Sequence, residues 1–250
     1  MNANDVAIEQ KAEKAEFRLG YRPALDGLRG VFILFVLTVH GGVPFMQGAA
    51  LGVDGFFALS GFLITTLLLQ EWRQNGSISL KRFYIRRALR LWPALFVMLG
   101  VFGLLTLLAI RGEGATATWR GILLSSLYSS NLDTVIFKDY TIGLGLMSHT
   151  WSLALEEQFY LLWPIVLMGL LALRLRGKWL AVSIGALVFT APLWRFLLLS
   201  GGRSTELFYV GMNTRADALL VGCTLGALAV GGFVMPSVKA ARVTRWLTVV

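Results

Sequence analysis

Six apolar stretches, at about 27–45, 51–71, 91–110, 151–173, 179–199 and 214–235, reach roughly the 20 residues that a helix needs to cross hydrocarbon, and another begins near 245. In lipid every backbone N–H and C=O must find its partner within the protein, which leaves helices or a closed barrel. The runs are continuously apolar and do not alternate in polarity, which excludes the barrel. The expected fold is therefore all-α: a polytopic transmembrane helical bundle of about six full spans. Charged residues make up only 15% of the chain, against about 25% in ordinary soluble domains, which fits that class.

The net charge of +9 raises the question of nucleic acid. The basic residues, however, cluster at the ends of apolar runs, where the positive-inside bias puts them, so the bilayer is the expected partner and nucleic acid is not. Residues 1–22 are polar, with no apolar core near Met1, and form an expected cytoplasmic segment before a membrane domain over 23–250. Cys223 is the sole cysteine, which rules out an intrachain disulfide or a cysteine-based metal cluster, and no metal is expected. The apolar run that starts at the end of the chain suggests truncation of a longer protein.

Basic connections fix an expected orientation. Segments 1–22, 72–90, 174–178 and 236–245 carry most of the Lys and Arg, whereas 42–50 carries no charge. With the basic segments cytoplasmic, residues 111–150 begin and end outside, so GILLSSLY at 121–128 is expected to be re-entrant or interfacial. A bacterial inner membrane with the N-terminus in the cytoplasm is the expected location.

Five constellations could carry chemistry. Arg29 and His40 bracket LRGVFILFVLTVH, and eleven helical steps separate them by roughly 16 Å. Ionisable groups within a span are costly and mark function, although a snorkelling arginine and a hydrogen-bonded histidine would explain the same pair. A histidine there can also act as a general base near neutral pH. In RFYIRRALRLWP, Arg82, Arg86 and Arg90 fall on one helical face with Arg87 alongside, a pattern that suits phosphate and equally suits a topology signal. In WSLALEEQFY, Glu156 and Glu157 enter an apolar helix, where one is expected at the water boundary and the other inward against His40 or an arginine; helix capping, with help from Thr150 or Ser152, is the plainer alternative. In GVDGFFALSGF the glycines permit close helix contact, and a Ser60–His40–Asp54 triad competes with simple packing. Arg215-Ala216-Asp217 reads as a local charge pair.

Together these strings resemble the acyltransferase 3 family of multispan membrane acyltransferases. LDGLRG with R-x10-H, GVDGFFALSGFLIT, FYIRRALRLWP and HTWSLALEEQFYLLWP stand in the family's order, and TRADALLVG is similar to a looser element, so the resemblance runs from about Tyr21 to Gly222. It implies transfer of an acyl group, most often acetyl, from acyl-coenzyme A to a carbohydrate of the envelope or an exported molecule. It places an essential Arg–His pair on Arg29 and His40, the R-x-x-R motif on Arg87 and Arg90, and a carboxylate on Glu156. On that basis Arg86, Arg87 and Arg90 are expected to hold the donor's phosphates, and Asp54, Trp151, Glu157 and Asp217 to contact the acceptor. His149 is the competing base. The opposing reading is a proton-coupled transporter or flippase using Arg29, His40 and Glu156.

Overall fold

The computed structural model describes residues 19–20, 22–41, 51–137, 143–202 and 210–232, with the side chains of 39–40 and 134–137 outside the description. The regular structure among those residues is entirely helical: α1 (Pro23–His40), α2 (Leu51–Asn75), α3 (Leu80–Ala109), α4 (Glu113–Ser126), α5 (Ser130–Phe137), a 3-10 turn (Gly145–Thr150), α6 (Trp151–Ala172), α7 (Gly177–Val188), α8 (Thr190–Ser200) and α9 (Met212–Val230). The 3-10 turn runs into α6, and α7 into α8 with a single turn residue between them, so four helical stretches are long and apolar enough to cross a membrane: 51–75, 80–109, 145–172 and 177–200.

The expected first and sixth spans overlap α1 and α9, of 18 and 19 residues, which are not among those four stretches. At 1.5 Å per residue they are about 27 and 29 Å long, just under a hydrocarbon core of about 30 Å. The segment expected to be re-entrant is the 14-residue α4, which packs on α3 and on the 3-10 turn. Ser125 on α4 and Thr150 share a hydroxyl bond of 2.7 Å, and a second small core of Leu95, Leu99, Leu144 and Met147 forms around this contact.

The main core joins α2, α6, α7 and α9 through Phe57, Leu68, Leu155, Leu167, Ile184, Leu219 and Cys223. Lipid is as apolar as leucine, so what draws helices together here is close packing and interhelical hydrogen bonds. The α2–α9 contact shows this most clearly. A Cβ added to Gly61 would lie 1.9 Å from the Leu219 carbonyl oxygen, and one added to Gly222 would lie 1.8 Å from that of Ala58. The two backbones touch because neither glycine has a side chain. Also against α2, the Trp163 indole N–H on α6 donates to the Thr65 hydroxyl at 2.9 Å, and Trp163 stacks on Phe159 with centroids 5.4 Å apart. Pro164 cannot donate to the preceding turn, and in that turn the Leu161 carbonyl takes a 2.7 Å bond from the Tyr84 hydroxyl of α3. Elsewhere α3 exposes Leu89, Phe96, Val97, Val101 and Leu108, a face that hydrocarbon solvates.

Gly222→Ala is expected to destabilise the protein by about 3 kcal/mol or more, the upper end for overpacking, because backbone has to move. Gly100→Ala, with nothing within 4 Å of its added Cβ, is expected to be neutral or slightly stabilising. Thermal unfolding in detergent, compared between the two variants, checks both.

Candidate active site

The inner faces of α3 and α6 meet at an ion pair. Arg87 lies seven residues into α3 and Glu157 six into α6, about 9–11 Å along each helix, and their side chains are only 23% and 14% exposed. The guanidinium grips the carboxylate in a fork: Nη2 donates to Oε1 at 2.6 Å and Nε to Oε2 at 3.0 Å. Its carbon also sits 3.1 Å from the centroid of the Tyr160 ring. Tyr160 in turn donates its hydroxyl to Glu156 Oε1 at 2.5 Å. Both carboxylates are therefore enclosed, Glu156 with only 8% of its surface exposed, which corrects the expectation that one of them sits at the water boundary. The physical reason is that Arg87 and Tyr160, one helical turn on from Glu156, supply a partner for each. Capping is also absent: Thr150, the residue before α6, makes no side-chain cap and donates instead to the Met147 carbonyl.

An amide network braces this cluster. Gln158 and Asn131 donate to each other's side-chain oxygens at 2.8 and 3.2 Å, Gln158 also donates to the Tyr128 carbonyl at 2.9 Å, and Asn131 to that of Val210. Arg120 pairs with Asp133 across α4 and α5. Asn131 and the Tyr128 carbonyl thus anchor the 111–150 segment on α6, while Arg120 and Asp133 tie α4 to α5 within it.

Arg87 stands between two clefts. On one side a cleft of about 540 Å³ lies between the end of α2 and the start of α3, lined by Arg82, Arg86, Arg87 and Arg90 together with Gln70, Glu71 and Gln74. The expected arginine face is real. Its arginines are not equivalent, however. Glu71 accepts from Arg82 at 3.4 Å, lies 3.8 Å from Arg86, and accepts from the Ser79 backbone N–H at 3.1 Å. Arg87 is held by Glu157, whereas Arg90 makes no ion pair among the described residues. On the other side a cleft of about 470 Å³ is walled by Ala88, Leu91, Trp92 and Leu161 around a polar floor of Arg87, Glu157, Tyr128 and Tyr160.

The remaining candidates lie elsewhere. Arg29 is near Asp26 (3.9 Å), and its buried Nε has no hydrogen-bond partner among the described residues. His40 closes α1, and its side chain lies outside the described residues, so the expected His40–Glu156 contact falls there too. His149 is exposed, with Nδ1 3.1 Å from the Leu146 carbonyl oxygen. Trp151 packs edge-on against Phe57, with centroids 6.4 Å apart. Arg215 and Asp217 do not pair with each other, which corrects the local reading: residues two apart leave a helix in different directions. Arg215 reaches Asp54 of α2 at 2.6 Å, and Asp217 takes Arg195 of α8 at 2.7 Å. Ser60 lies against the Tyr160 hydroxyl and Asp54 is committed to Arg215, so the imagined triad does not form from these two. Among the described residues no three His, Cys, Asp or Glu side chains come together as metal ligands.

The sequence reading passed over Tyr160, Glu71 and Arg195. Tyr160 stands four residues after Glu156, and Arg195 is a lone charge in an apolar run, so helical spacing and the cost of intramembrane charge were the signals for them.

The family model described as an acyltransferase domain matches residues 22–242, a stretch that holds every helix named above. The chain belongs to this acyltransferase family. It is 37% identical over 216 residues to the peptidoglycan O-acetyltransferase OatA of Listeria monocytogenes, covering 82% of this chain and 33% of that one. It is 36% identical over 217 residues to a candidate O-acetyltransferase of Staphylococcus aureus strain N315 (84% and 35% covered), and 36% identical over 211 residues to the candidate peptidoglycan O-acetyltransferase YrhL of Bacillus subtilis (82% and 33%). The chain spans about a third of the length of these curated relatives. No solved structure matches it significantly.

For this member of the acyltransferase family, Arg87→Ala strands the Glu157 carboxylate inside the bundle. The expected cost is about 3–5 kcal/mol, and Arg87→Met/Glu157→Leu recovers most of it by removing both charges. Unfolding midpoints of the two variants check this. Equal stability of Arg87→Ala and the parent would contradict it.

Proposed function

We propose that the protein is a membrane-embedded O-acyltransferase that moves an acyl group, acetyl foremost, from acyl-coenzyme A to a hydroxyl of an envelope carbohydrate. The observation that carries this reading is the arginine cleft of α2 and α3, which shares Arg87 as a wall with a second cleft floored by buried carboxylate and phenol groups. Family membership and the names of the relatives support it, and peptidoglycan is the first acceptor to try, since two relatives are named for it.

In this mechanism the donor's phosphates lie against Arg86 and Arg90, with Arg82 at the rim, where guanidinium groups offer paired hydrogen bonds. Arg87 is already gripped by Glu157, so its contribution is a fixed positive wall. Arg29 stands eleven residues before His40 on α1, and we assign it a supporting role on the donor side. His40 takes the proton of the acceptor hydroxyl, the oxygen attacks the thioester carbonyl, the new C–O bond forms, and the C–S bond breaks. The thiolate leaves and is reprotonated by the imidazolium. Glu156, itself fixed by Tyr160, orients His40 and stabilises its charged form, as a carboxylate does in a hydrolase triad. Asp54, Trp151 and Asp217 lie toward the ends of α2, α6 and α9 that face away from the arginine cleft, and we assign the acceptor to that side. The arginine-rich end faces the cytoplasm, as the charge bias requires, with the protein in the inner membrane.

Membranes holding the full-length protein are expected to transfer labelled acetyl from acetyl-coenzyme A to peptidoglycan. His40→Ala is expected to lower that rate by about 100-fold or more, with the protein still inserted. Near-normal transfer by His40→Ala would end the His40 assignment. Transport that depends on a proton gradient, with no acylated product, would favour the transporter instead. Arg90→Ala removes a charge-assisted bond and is expected to weaken acetyl-coenzyme A binding by about 10-fold or more. Unchanged affinity would count against the phosphate role.

A further inference from the structure

A third cleft, of about 330 Å³, opens where the C-terminal ends of α2, α6 and α9 meet the start of α7. Arg73 and Arg176 line it, one from the last turn of α2 and the other from the residue just before α7. Its remaining wall is apolar, built by Leu69, Leu171, Leu180 and Val230. No acidic residue is among its lining, and neither arginine makes an ion pair among the described residues. This sets them apart from Arg82, Arg86, Arg87, Arg120, Arg195 and Arg215, each of which has a carboxylate. The first turn of α7 opens on the same space through Gly177 and has no side-chain cap, which adds the positive end of a helix dipole.

Depth decides between a soluble anion and a lipid. α2 ends two residues after Arg73, and α6 ends four residues before Arg176, so both guanidinium groups stand at the level where the spans leave hydrocarbon. Trp179, 62% exposed, marks the same level on α7 in the manner of an interfacial aromatic, and Lys178 lies 5.4 Å from its ring. A soluble phosphate has no use for the leucine wall below the arginines. A phospholipid does: its phosphate meets the arginines and its glycerol and upper chains cover the leucines.

We propose that this cleft is a binding site for the phosphodiester headgroup of an anionic phospholipid, separate from the arginine cleft assigned to the acyl donor. The site is independent of the acyltransfer reading and stands or falls by binding alone. The full-length protein, stripped of lipid in neutral detergent, is titrated with phosphatidylglycerol and followed by native mass spectrometry. Phosphatidylcholine and inorganic phosphate are run beside it. Saturable binding of phosphatidylglycerol is expected, weakened at least tenfold in Arg73→Ala/Arg176→Ala, with phosphatidylcholine binding alike in both proteins. Arg73→Lys/Arg176→Lys keeps the charge, loses the planar fork, and is expected to fall between them; it serves if the alanine variant does not fold. Equal phosphatidylglycerol affinity in the parent and the variants overturns the proposal. Displacement of the lipid by inorganic phosphate at similar concentration overturns it as well, because it would mark a site for a soluble anion.

Discussion

Arg87 and Glu157 hold each other inside a bundle where neither could stand alone. A lone charge among these apolar helices would be expelled or neutralised, so the pair ties α3 to α6 at one register and one rotation. Much follows from that registration. The Tyr84 hydroxyl reaches the Leu161 carbonyl, the Tyr160 ring lies under the guanidinium, and two clefts form on either side of one side chain. The amides of Gln158 and Asn131 fasten the 111–150 segment to the same turn of α6. At the other side of the bundle the glycine contact of α2 and α9 does equivalent work without charge.

The arginine motif thereby divides its labour. Its residues share one helical face in sequence, yet their partners give them different freedom. Arg87 is saturated by a carboxylate and an aromatic ring, Arg82 and Arg86 lean on Glu71, and Arg90 makes no ion pair among the described residues. In the proposed binding mode a donor phosphate would meet Arg90 and draw Arg86 from a carboxylate 3.8 Å away at little cost. Taking Arg87 would mean abandoning Glu157 in a dry setting. Motif spacing alone cannot express this difference, because it is set by what the neighbouring helices bring.

The same distinction explains what could be read in the sequence. Apolar runs overlap the main helices, although α3 starts eleven residues earlier than its run because the arginine segment is itself helical, the run at 179–199 divides into α7 and α8, and the ends of the runs at 27–45 and 214–235 lie outside the described residues. The i, i+4, i+8 face of Arg82, Arg86 and Arg90 was visible because one helix fixes it. Pairings between helices were not: Arg87 with Glu157, Asp54 with Arg215, and Arg195 with Asp217 depend on the depth and rotation of separate elements. The need for a partner was legible at Glu157, and its identity was not. Arg215 shows the converse: Asp217, its neighbour in sequence, is not its partner in space.

The central claim is that donor phosphates occupy the Arg86–Arg90 side of the cleft while the Arg87–Glu157 pair stays closed as its wall. A structure of the full-length protein with acetyl-coenzyme A bound tests this most directly. The account predicts phosphate oxygens within hydrogen-bonding distance of Arg90 and Arg86, with Arg87 still forked onto Glu157. Phosphates gripped by Arg87, with Glu157 released, would contradict it.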